Sequence, residues 1–313
     1  MYGQDTAVAL QRIQEWIIKG DVEAPLTFTY LKLTSLPPLP ASLQIVDCYD
    51  TPILTLPELP PSLQKLQCSF TQIKTFPKLP PSLQELCCSS TQITILPELP
   101  LSLQILDYSD TQVTTLTQLP PSLKIVNCSK TKIKTLPTLP LSLQQLHCEY
   151  TQVTTLPELP PTLHTLYCSN SPLKFIPTLP ASLRFFNCCY TRVKALPDLP
   201  SSLQLLNYSN TRITELPEIP MSLEKLYSWK CPNLFLQRGS DESIQTYEQR
   251  WKVVRENMEK KRNSERCNAV KEELMATTWH PDRMIKWCWD QEEKKEWYEG
   301  SSSYYMVTLS NAA

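Results

Sequence analysis

The sequence predicts an α/β solenoid dominated by β-structure, in which short coils of chain stack on one another. A leucine returns every 20 residues without insertion or deletion, and the 29 prolines fall mostly at fixed places within that period. A fixed short period indicates a repeat architecture in which each unit contacts only its neighbours. The leucine that opens each copy is found at Leu43, Leu63, Leu83, Leu103, Leu123, Leu143, Leu163, Leu183, Leu203 and Leu223.

The aligned copies read L-x-x-L-x-C-x-x-T-x-I-x-x-L-P-x-L-P-x-S. This pattern matches the leucine-rich-repeat consensus, with cysteine in place of the third leucine and threonine in place of the asparagine. The threonine is expected where the chain turns away from the strand, with its hydroxyl bonded to backbone groups of the turn. It predicts a horseshoe with a three-residue strand around each second leucine, a parallel sheet on the concave face and a polyproline-like convex side. The four glycines predict few positions that require a positive φ.

Residues 1–35 are predicted to form a small helical N-terminal cap, because a solenoid must cover the core of its first coil. Residues 1 to about 22 favour an amphipathic helix that ends at Gly20. The segment 26–32 (LTFTYLK) is strand-like. The apolar face of the helix is predicted at three- and four-residue steps, at Ala7, Leu10, Ile13, Ile17 and Ile18, with Val8 and Trp16 beside it.

The solenoid is predicted over residues 36–238 as ten 20-residue repeats. Beyond it the composition becomes charged, aromatic and helix-favouring, which predicts a helical C-terminal domain at 239–299 and a disordered tail at 300–313. Helices are predicted near 241–262, near 265–276 and from Pro281 to about Tyr298.

Seven of the twelve cysteines share one repeat position: Cys48, Cys68, Cys88, Cys128, Cys148, Cys168 and Cys188. This column could be a disulfide stack or a row of metal ligands, since its members are about one strand apart. We favour small buried hydrophobes that point into the core. Cys87 and Cys189 would add outward-facing thiols. The sequence has no C-x-x-C pair for zinc, so neither a metal nor a cofactor is predicted.

Aromatic side chains concentrate in the C-terminal half of the repeats, beside the second leucine and just after the strand. Residues that flank a buried strand residue point to the opposite face, here the concave one. Exposed aromatic rings on a rigid sheet are typical interface anchors, although they could also only cover neighbouring backbone. The predicted partner-binding residues are His147, Tyr150, Tyr167, Phe185, Tyr190, Tyr227 and Trp229.

The C-terminal segment contains one pair that suggests catalysis, Cys288 and Asp290. Side chains two residues apart do not face each other on a helix, so a buried cysteine is the better interpretation. His280 precedes a proline and is interpreted as a helix-start residue. No catalytic residue is predicted and the protein is expected not to be an enzyme.

The net charge of −1 and the pI near 6.3 indicate no overall field that would attract nucleic acid or anionic lipid. No run of 18 apolar residues predicts a membrane span. The opening residues lack the pattern of a secretory signal, so we expect an intracellular protein with reduced cysteines.

Repeats such as LPELPPSLQKL (Leu56 to Leu66), with the opening ALQRIQEW (Ala9 to Trp16), resemble those of bacterial type-III effectors. That group comprises the invasion-plasmid-antigen-H ubiquitin ligases and the non-enzymatic Yersinia outer-membrane-protein-M type. The resemblance covers about residues 1–236 and implies an interaction protein. Two features depart from it: threonine replaces the ladder asparagine, and only about 75 residues follow the repeats. Cys288-x-Asp290 matches the ligase nucleophile triplet formally, without room for the ligase domain.

The segment that begins at Glu273, ELMATTWHPDRMIKWCWDQEEKK, resembles a C-terminal element of repeat proteins from amoeba-infecting giant viruses. The motif W-H-P-x-R, from Trp279 to Arg283, carries this likeness. It implies a viral protein in host–virus interaction, located in the host cytoplasm or in the virion.

Taken together, the sequence predicts a non-enzymatic module for protein–protein interaction that binds a protein partner on its concave face. Nucleic acid is not an expected ligand. An effector-like ubiquitin ligase that uses Cys288 and a structural component of the virion are the alternatives. The identity of the partner and the oligomeric state stay open.

Overall fold

The computed structural model describes residues 2–214, 216–228 and 231. Helix α1 spans Tyr2–Lys19 and is followed by eleven short strands in one parallel sheet, in chain order from first to last. The strands are β1 (Leu26–Thr27), β2 (Ile45–Asp47), β3 (Lys65–Gln67), β4 (Glu85–Cys87), β5 (Ile105–Asp107), β6 (Ile125–Asn127), β7 (Gln145–His147), β8 (Thr165–Tyr167), β9 (Phe185–Asn187), β10 (Leu205–Asn207) and β11 (Lys225–Tyr227). The predicted parallel solenoid of leucine-rich repeats is confirmed, with one three-residue strand in each copy.

Every coil pairs in register with the next, so residues 20 positions apart lie side by side. Val46 pairs with Leu66, and Leu66 with Leu86. The central residue of each strand from β2 to β10 is buried, because the alternation of a strand turns it toward the interior. The outcome is one continuous apolar core along the stack, as each coil buries its leucines against two neighbours.

The cysteine column lies in this core, as predicted. Its seven members are fully buried and free of disulfides. The thiol of Cys48 donates to the carbonyl oxygen of Gln67 in the next coil, at 3.2 Å. Burial raises the pKa of Cys48 and of Cys128 to about 12, so these thiols keep their protons. They are therefore core residues and not nucleophiles.

Two cysteines outside the column were predicted to face outward. Cys87 is half-buried at the end of β4, whereas Cys189 is only 5% exposed and the prediction for it is wrong. Cys189 follows β9 in a row of small side chains, where its backbone N–H donates to Asn187 Oδ1 at 3.1 Å. Burial raises the pKa of the Cys189 thiol to about 12. Within the described ranges no group of His, Cys, Asp and Glu is arranged to hold a metal ion.

Two columns of hydroxyl groups fix the turns of the coil. Each ladder hydroxyl donates to the carbonyl three residues earlier, as Thr131 Oγ1 does to Cys128 O at 2.6 Å, which confirms the predicted local role. The ladder comprises Thr51, Thr71, Thr91, Thr111, Thr131, Thr151, Ser171, Thr191 and Thr211. A second column was not predicted: Ser142 Oγ donates to Pro121 O and Leu123 O of the preceding coil, each at 2.6 Å.

Among the described residues, ten other than glycine have a positive φ, contrary to the expectation drawn from the scarcity of glycine. We call them the turn column, and they are Tyr30, Asp50, Phe70, Ser90, Asp110, Lys130, Tyr150, Asn170, Tyr190 and Asn210. Their φ angles lie between 52° and 65°, and none of them is β-branched. The left-handed turn lets the Tyr150 N–H donate to Ser169 O at 3.0 Å, so the inter-coil ladder continues past the strand.

Helix α1 covers the first coil with a face other than the predicted one. Ala9, Ile13 and Trp16 are buried, and Trp16 Nε1 donates to Ala24 O at 2.8 Å. Of the predicted face only Ile13 is buried, and the exposed members are Ala7, Leu10, Ile17 and Ile18. The large indole side chain determines which side of the helix packs on the sheet. The helix ends at Gly20 as predicted, with a φ of 67°.

The predicted C-terminal helices, the disordered tail and the segment with the W-H-P-x-R motif lie outside the described residues. In the part of the chain that is described, no helix is long and apolar enough to cross a membrane.

Candidate protein-interaction surface

The first and third residues of each strand point away from the core, and we call the surface they form the outer sheet face. Register pairing arranges these residues in columns that run across the strands, and successive residues of one column are about 4.8 Å apart. In the C-terminal half the first column contains Gln145, Thr165, Phe185, Leu205 and Lys225, and the third contains His147, Tyr167, Asn187, Asn207 and Tyr227. The sequence predicted this face from the alternation of side chains.

His147 and Tyr167 form a rigid part of this face. Their ring centroids are 5.0 Å apart and the ring planes stand at 89°, an edge-to-face contact. Tyr167 is only 3% exposed, so the expectation of an exposed anchor is wrong for this residue, while His147 is half-buried. Burial lowers the pKa of His147 to about 4 and raises the pKa of Tyr167 to about 12. Both rings are therefore uncharged near neutral pH.

Phe185 and Leu205 supply an accessible apolar pair on the two strands that follow Tyr167. They pair directly across β9 and β10, and each is half-buried. Tyr227 lies on β11, two strands from Phe185, and is also half-buried. Trp229, the last of the predicted binding residues, lies outside the described residues.

Tyr150 and Tyr190 lie at the edge of the sheet, where the strands end, and belong to the turn column. They are 51% and 49% exposed and are two coils apart, with Asn170 between them. Two strand spacings place the two backbones about 10 Å apart. The predicted residues thus differ in exposure. Tyr167 is buried, and Tyr150 and Tyr190 are exposed at the edge of the sheet. The half-buried residues of the outer sheet face are His147, Phe185 and Tyr227.

Several polar residues of the outer sheet face have a structural role. Asn187 Oδ1 accepts from Cys189 N, and Asn207 Oδ1 accepts from Ser209 N, each at 3.1 Å. These side chains close the turn after the strand, a local role typical of asparagine. Sequence analysis missed this role, although Asn or Asp at the third strand position of several copies was a usable signal.

The sequence also did not single out Glu149 as a buried carboxylate. It is 5% exposed, and it accepts a hydrogen bond from Ser129 Oγ at 2.6 Å. Burial raises the pKa of this carboxyl to about 7, despite the opposing effects of Ser129 and Lys130. Most other copies place serine at this position, as at Ser129 and Ser169, so the glutamate was visible as a departure from the repeat.

No family model and no curated protein matches the chain. Among solved structures, YopM from Yersinia enterocolitica is 31% identical with a TM-score of 0.60, over 71% of this chain and 58% of that one. An effector leucine-rich-repeat domain from Shigella is 28% identical with a TM-score of 0.46, over 48% of this chain and 68% of that one. The chain therefore spans less than two thirds of the length of YopM.

A third structure is an octameric complex of Latrophilin 3, Unc5D and the leucine-rich-repeat part of FLRT2. It is 19% identical with a TM-score of 0.50, over 65% of this chain and 80% of that one, a likeness of fold alone. The predicted resemblance to effector repeats is confirmed by the similarity to YopM. The similarity to YopM supports the leucine-rich-repeat fold. The giant-virus element stays a prediction.

Proposed function

We propose that this protein is a non-enzymatic module that binds a protein partner in its C-terminal half. The binding surface comprises the outer sheet face, the face expected to be concave, and the turn column at its edge. One observation carries the proposal. Phe185, Tyr150 and Tyr190 leave apolar ring surface accessible, whereas the repeated positions from the first leucine of the motif to the isoleucine supply the buried core. The fold accounts for the repeated residues but does not require these rings.

The surroundings of the rings support this role. His147 and Tyr167 pack edge to face on the same sheet face, and the backbone of Tyr190 is held to the next coil by its N–H bond to Ser209 O at 2.8 Å. Tyrosine rings supply a large contact area at a low cost in conformational entropy, because the side chain has only two χ angles. Such residues commonly dominate the binding energy of protein interfaces.

The non-enzymatic part of the proposal rests on the state of the thiols. Burial keeps the described column cysteines and Cys189 protonated, which is unfavourable for a nucleophile. The ligase alternative depends on Cys288 and the virion alternative on the C-terminal segment, both outside the described residues. A thioester assay with Cys288→Ala tests the ligase alternative. A location in the host cytoplasm or virion is part of the proposal, motivated by the sequence resemblances.

The proposal is tested by capture of a partner on the purified full chain, followed by an affinity measurement with that partner. We expect Tyr190→Ala and Phe185→Ala each to weaken binding about tenfold, in line with the loss of an aromatic anchor. Phe175→Ala is the matched control, because Phe175 is 72% exposed but lies outside both the outer sheet face and the turn column. If Phe175→Ala weakens binding as much as Tyr190→Ala does, or neither has an effect, the assignment of this face is wrong.

A further inference from the structure

Charge is distributed unevenly along the solenoid, although the net charge of the chain is only −1. Residues 21–110 contain four Lys or Arg and nine Asp or Glu, a formal charge of −5. Residues 124–214 contain nine Lys or Arg and three Asp or Glu, a formal charge of +6. The stack is therefore electrically polarised from its acidic first half to its basic second half.

Most of these cations lie on one edge of the second half. They occupy the turn column and the second and fourth positions after it, whose side chains alternate outward past the buried Thr131 and Ile133. We call this set the basic edge. Its members, all exposed, are Lys130, Lys132, Lys134, Lys174, Arg192, Lys194 and Arg212. Lys124 and Arg184, also exposed, flank the other side of the same strands.

The backbone under the basic edge is fixed by bonds between coils. Lys132 N donates to Val113 O at 3.1 Å, Arg192 N to Leu173 O at 2.8 Å, and Arg212 N to Val193 O at 2.9 Å. The cations therefore project from a rigid frame. They are not required by the fold, because Gln92 and Gln112 occupy the same position as Lys132 in earlier coils.

The carboxylates between residues 124 and 214 do not neutralise this edge. Glu158 and Asp198 lie on the proline-rich return segment, and Glu149 is buried with its pKa raised to about 7. Between residues 124 and 214, all of which are described, neither the outer sheet face nor the basic edge has an exposed carboxylate. Concentrated like charges repel one another, a cost that an anionic ligand would remove.

We propose that the basic edge binds an acidic segment of the protein partner, with Tyr150 and Tyr190 in contact with the apolar side chains of that segment. This inference rests on the proposed function and specifies the chemistry of the partner. The edge extends over five coils, or about 20 Å, a length that about six extended residues cover. Half-exposed rings between cations suit a peptide that alternates acidic and apolar residues.

The charge pattern favours a protein over a nucleic acid. The first half has a charge of −5, and Asp47 and Asp107 lie on its outer sheet face. A phosphate backbone that continued along the stack would be repelled beyond the basic coils. A folded partner can instead place an acidic segment against the second half only, and the polarity of the solenoid then determines its orientation.

The test is fluorescence anisotropy with the full chain and a labelled peptide of about eight residues that alternates Glu with Leu or Gly, long enough to span the edge. The same peptide with Gln in place of Glu is the neutral control, and oligothymidylate of similar length is the nucleic-acid control. We expect the Glu peptide to bind, the Gln peptide to bind at least about tenfold more weakly, and added salt to weaken the Glu peptide. The triple variant K132E/R192E/R212E should lose at least about tenfold in affinity for the Glu peptide.

The matched control for that variant is K32E/K74E/K78E, three charge reversals of exposed lysines in the first half. Equal binding of the Glu and Gln peptides, or equal weakening by both triple variants, would overturn the inference. Tighter binding of oligothymidylate at the same edge would also overturn it, in favour of a nucleic acid. If K132E/R192E/R212E still binds the captured partner at full affinity while Tyr190→Ala does not, only this inference fails and the proposed function stands.

Discussion

Glu149 makes the stability of the solenoid depend on pH. Its pKa is raised from 4.5 to about 7 in the folded chain because burial disfavours the charged form. The folded state therefore binds the proton more tightly than the unfolded state does. The stabilisation is fully present below pH 4.5 and is lost as the pH rises through about 7. The amount lost is on the order of 3 kcal/mol or less.

We expect Glu149→Gln to remove this dependence, so that its free energy of unfolding exceeds that of the wild type increasingly between pH 4.5 and 7. Urea unfolding at several pH values measures the difference. His147 acts in the opposite direction, since its lowered pKa removes stability as the pH falls from 6.5 to about 4, but it is common to both proteins. Glu58→Gln, at an exposed glutamate, is the control. A constant difference across the range would contradict the prediction.

Single residues were predictable where the repeat presents them many times. Cys128 and Thr131 were placed correctly because ten copies restrict those positions to the core and to the turn. Glutamate occurs at this repeat position only in the copy that contains Glu149, so the consensus of the copies did not show it. The burial of Tyr167 depends on the ring of His147 in the preceding coil, a contact between copies that no single copy reveals.

Among the elements, helix α1 gives a direct test of which face is buried. Ile13 is 7% exposed and Ile17 is 57% exposed. We expect Ile13→Ala to lower the free energy of unfolding by about 2–4 kcal/mol, because a cavity is left against the first coil. Ile17→Ala should change it by less than about 0.5 kcal/mol.

Urea denaturation of the two alanine variants checks this prediction, with the exposed Ile18 as a further control site. An equal loss of stability at Ile13 and Ile17 would show that the buried stripe of the helix extends to Ile17. A larger loss at Ile17 would show that the helix is rotated toward the face that the sequence predicted.

The sequence could not choose between the two faces of α1, because both have apolar residues at helical spacing. Contacts with the sheet decide: Trp16 reaches Ala24, and Arg12 Nη1 donates to Thr27 O at 2.8 Å. The strands were predictable in number and place, because their central residue repeats and their partners lie a constant 20 positions away. The hydrogen bonds by which Asn187 and its counterparts close the turn after the strand could not be predicted, because they depend on the geometry of that turn.

For the whole molecule, additivity of the coils leads to a test by deletion. Removal of Ser122 to Leu141 joins Pro121 to Ser142 and restores the repeat across the junction. Each coil contacts only its neighbours, so we expect the shortened chain to fold with the same cooperative transition. Its free energy of unfolding should be lower by roughly a tenth, the share of one coil.

The control is a deletion of half a period, Ser122 to Thr131, which removes β6 but leaves its return segment. That chain should lose cooperative unfolding in urea and the protection of amides near the junction from hydrogen exchange. If both deletions unfold alike, the coils are not independent additive units.

At this scale the sequence predicted the stack and the side of the sheet that faces away from the core. The uneven distribution of charge along the stack was not predicted. The net charge of the chain is only −1, because the acidic and basic segments nearly cancel. The position of each charge around the coil, as for Lys132 outward and Glu149 inward, follows only from the turn that separates neighbouring residues.

The turn column has a consequence for which substitutions its positions accept. A residue with a left-handed backbone costs about 1–2 kcal/mol when it is not glycine, and branching at Cβ makes that conformation harder still. The positions of Tyr190 and its counterparts therefore favour side chains that are not branched at Cβ. Exchange among Tyr, Phe, Asn, Asp, Ser and Lys keeps the turn, whereas Val, Ile or Thr would strain it in each described coil.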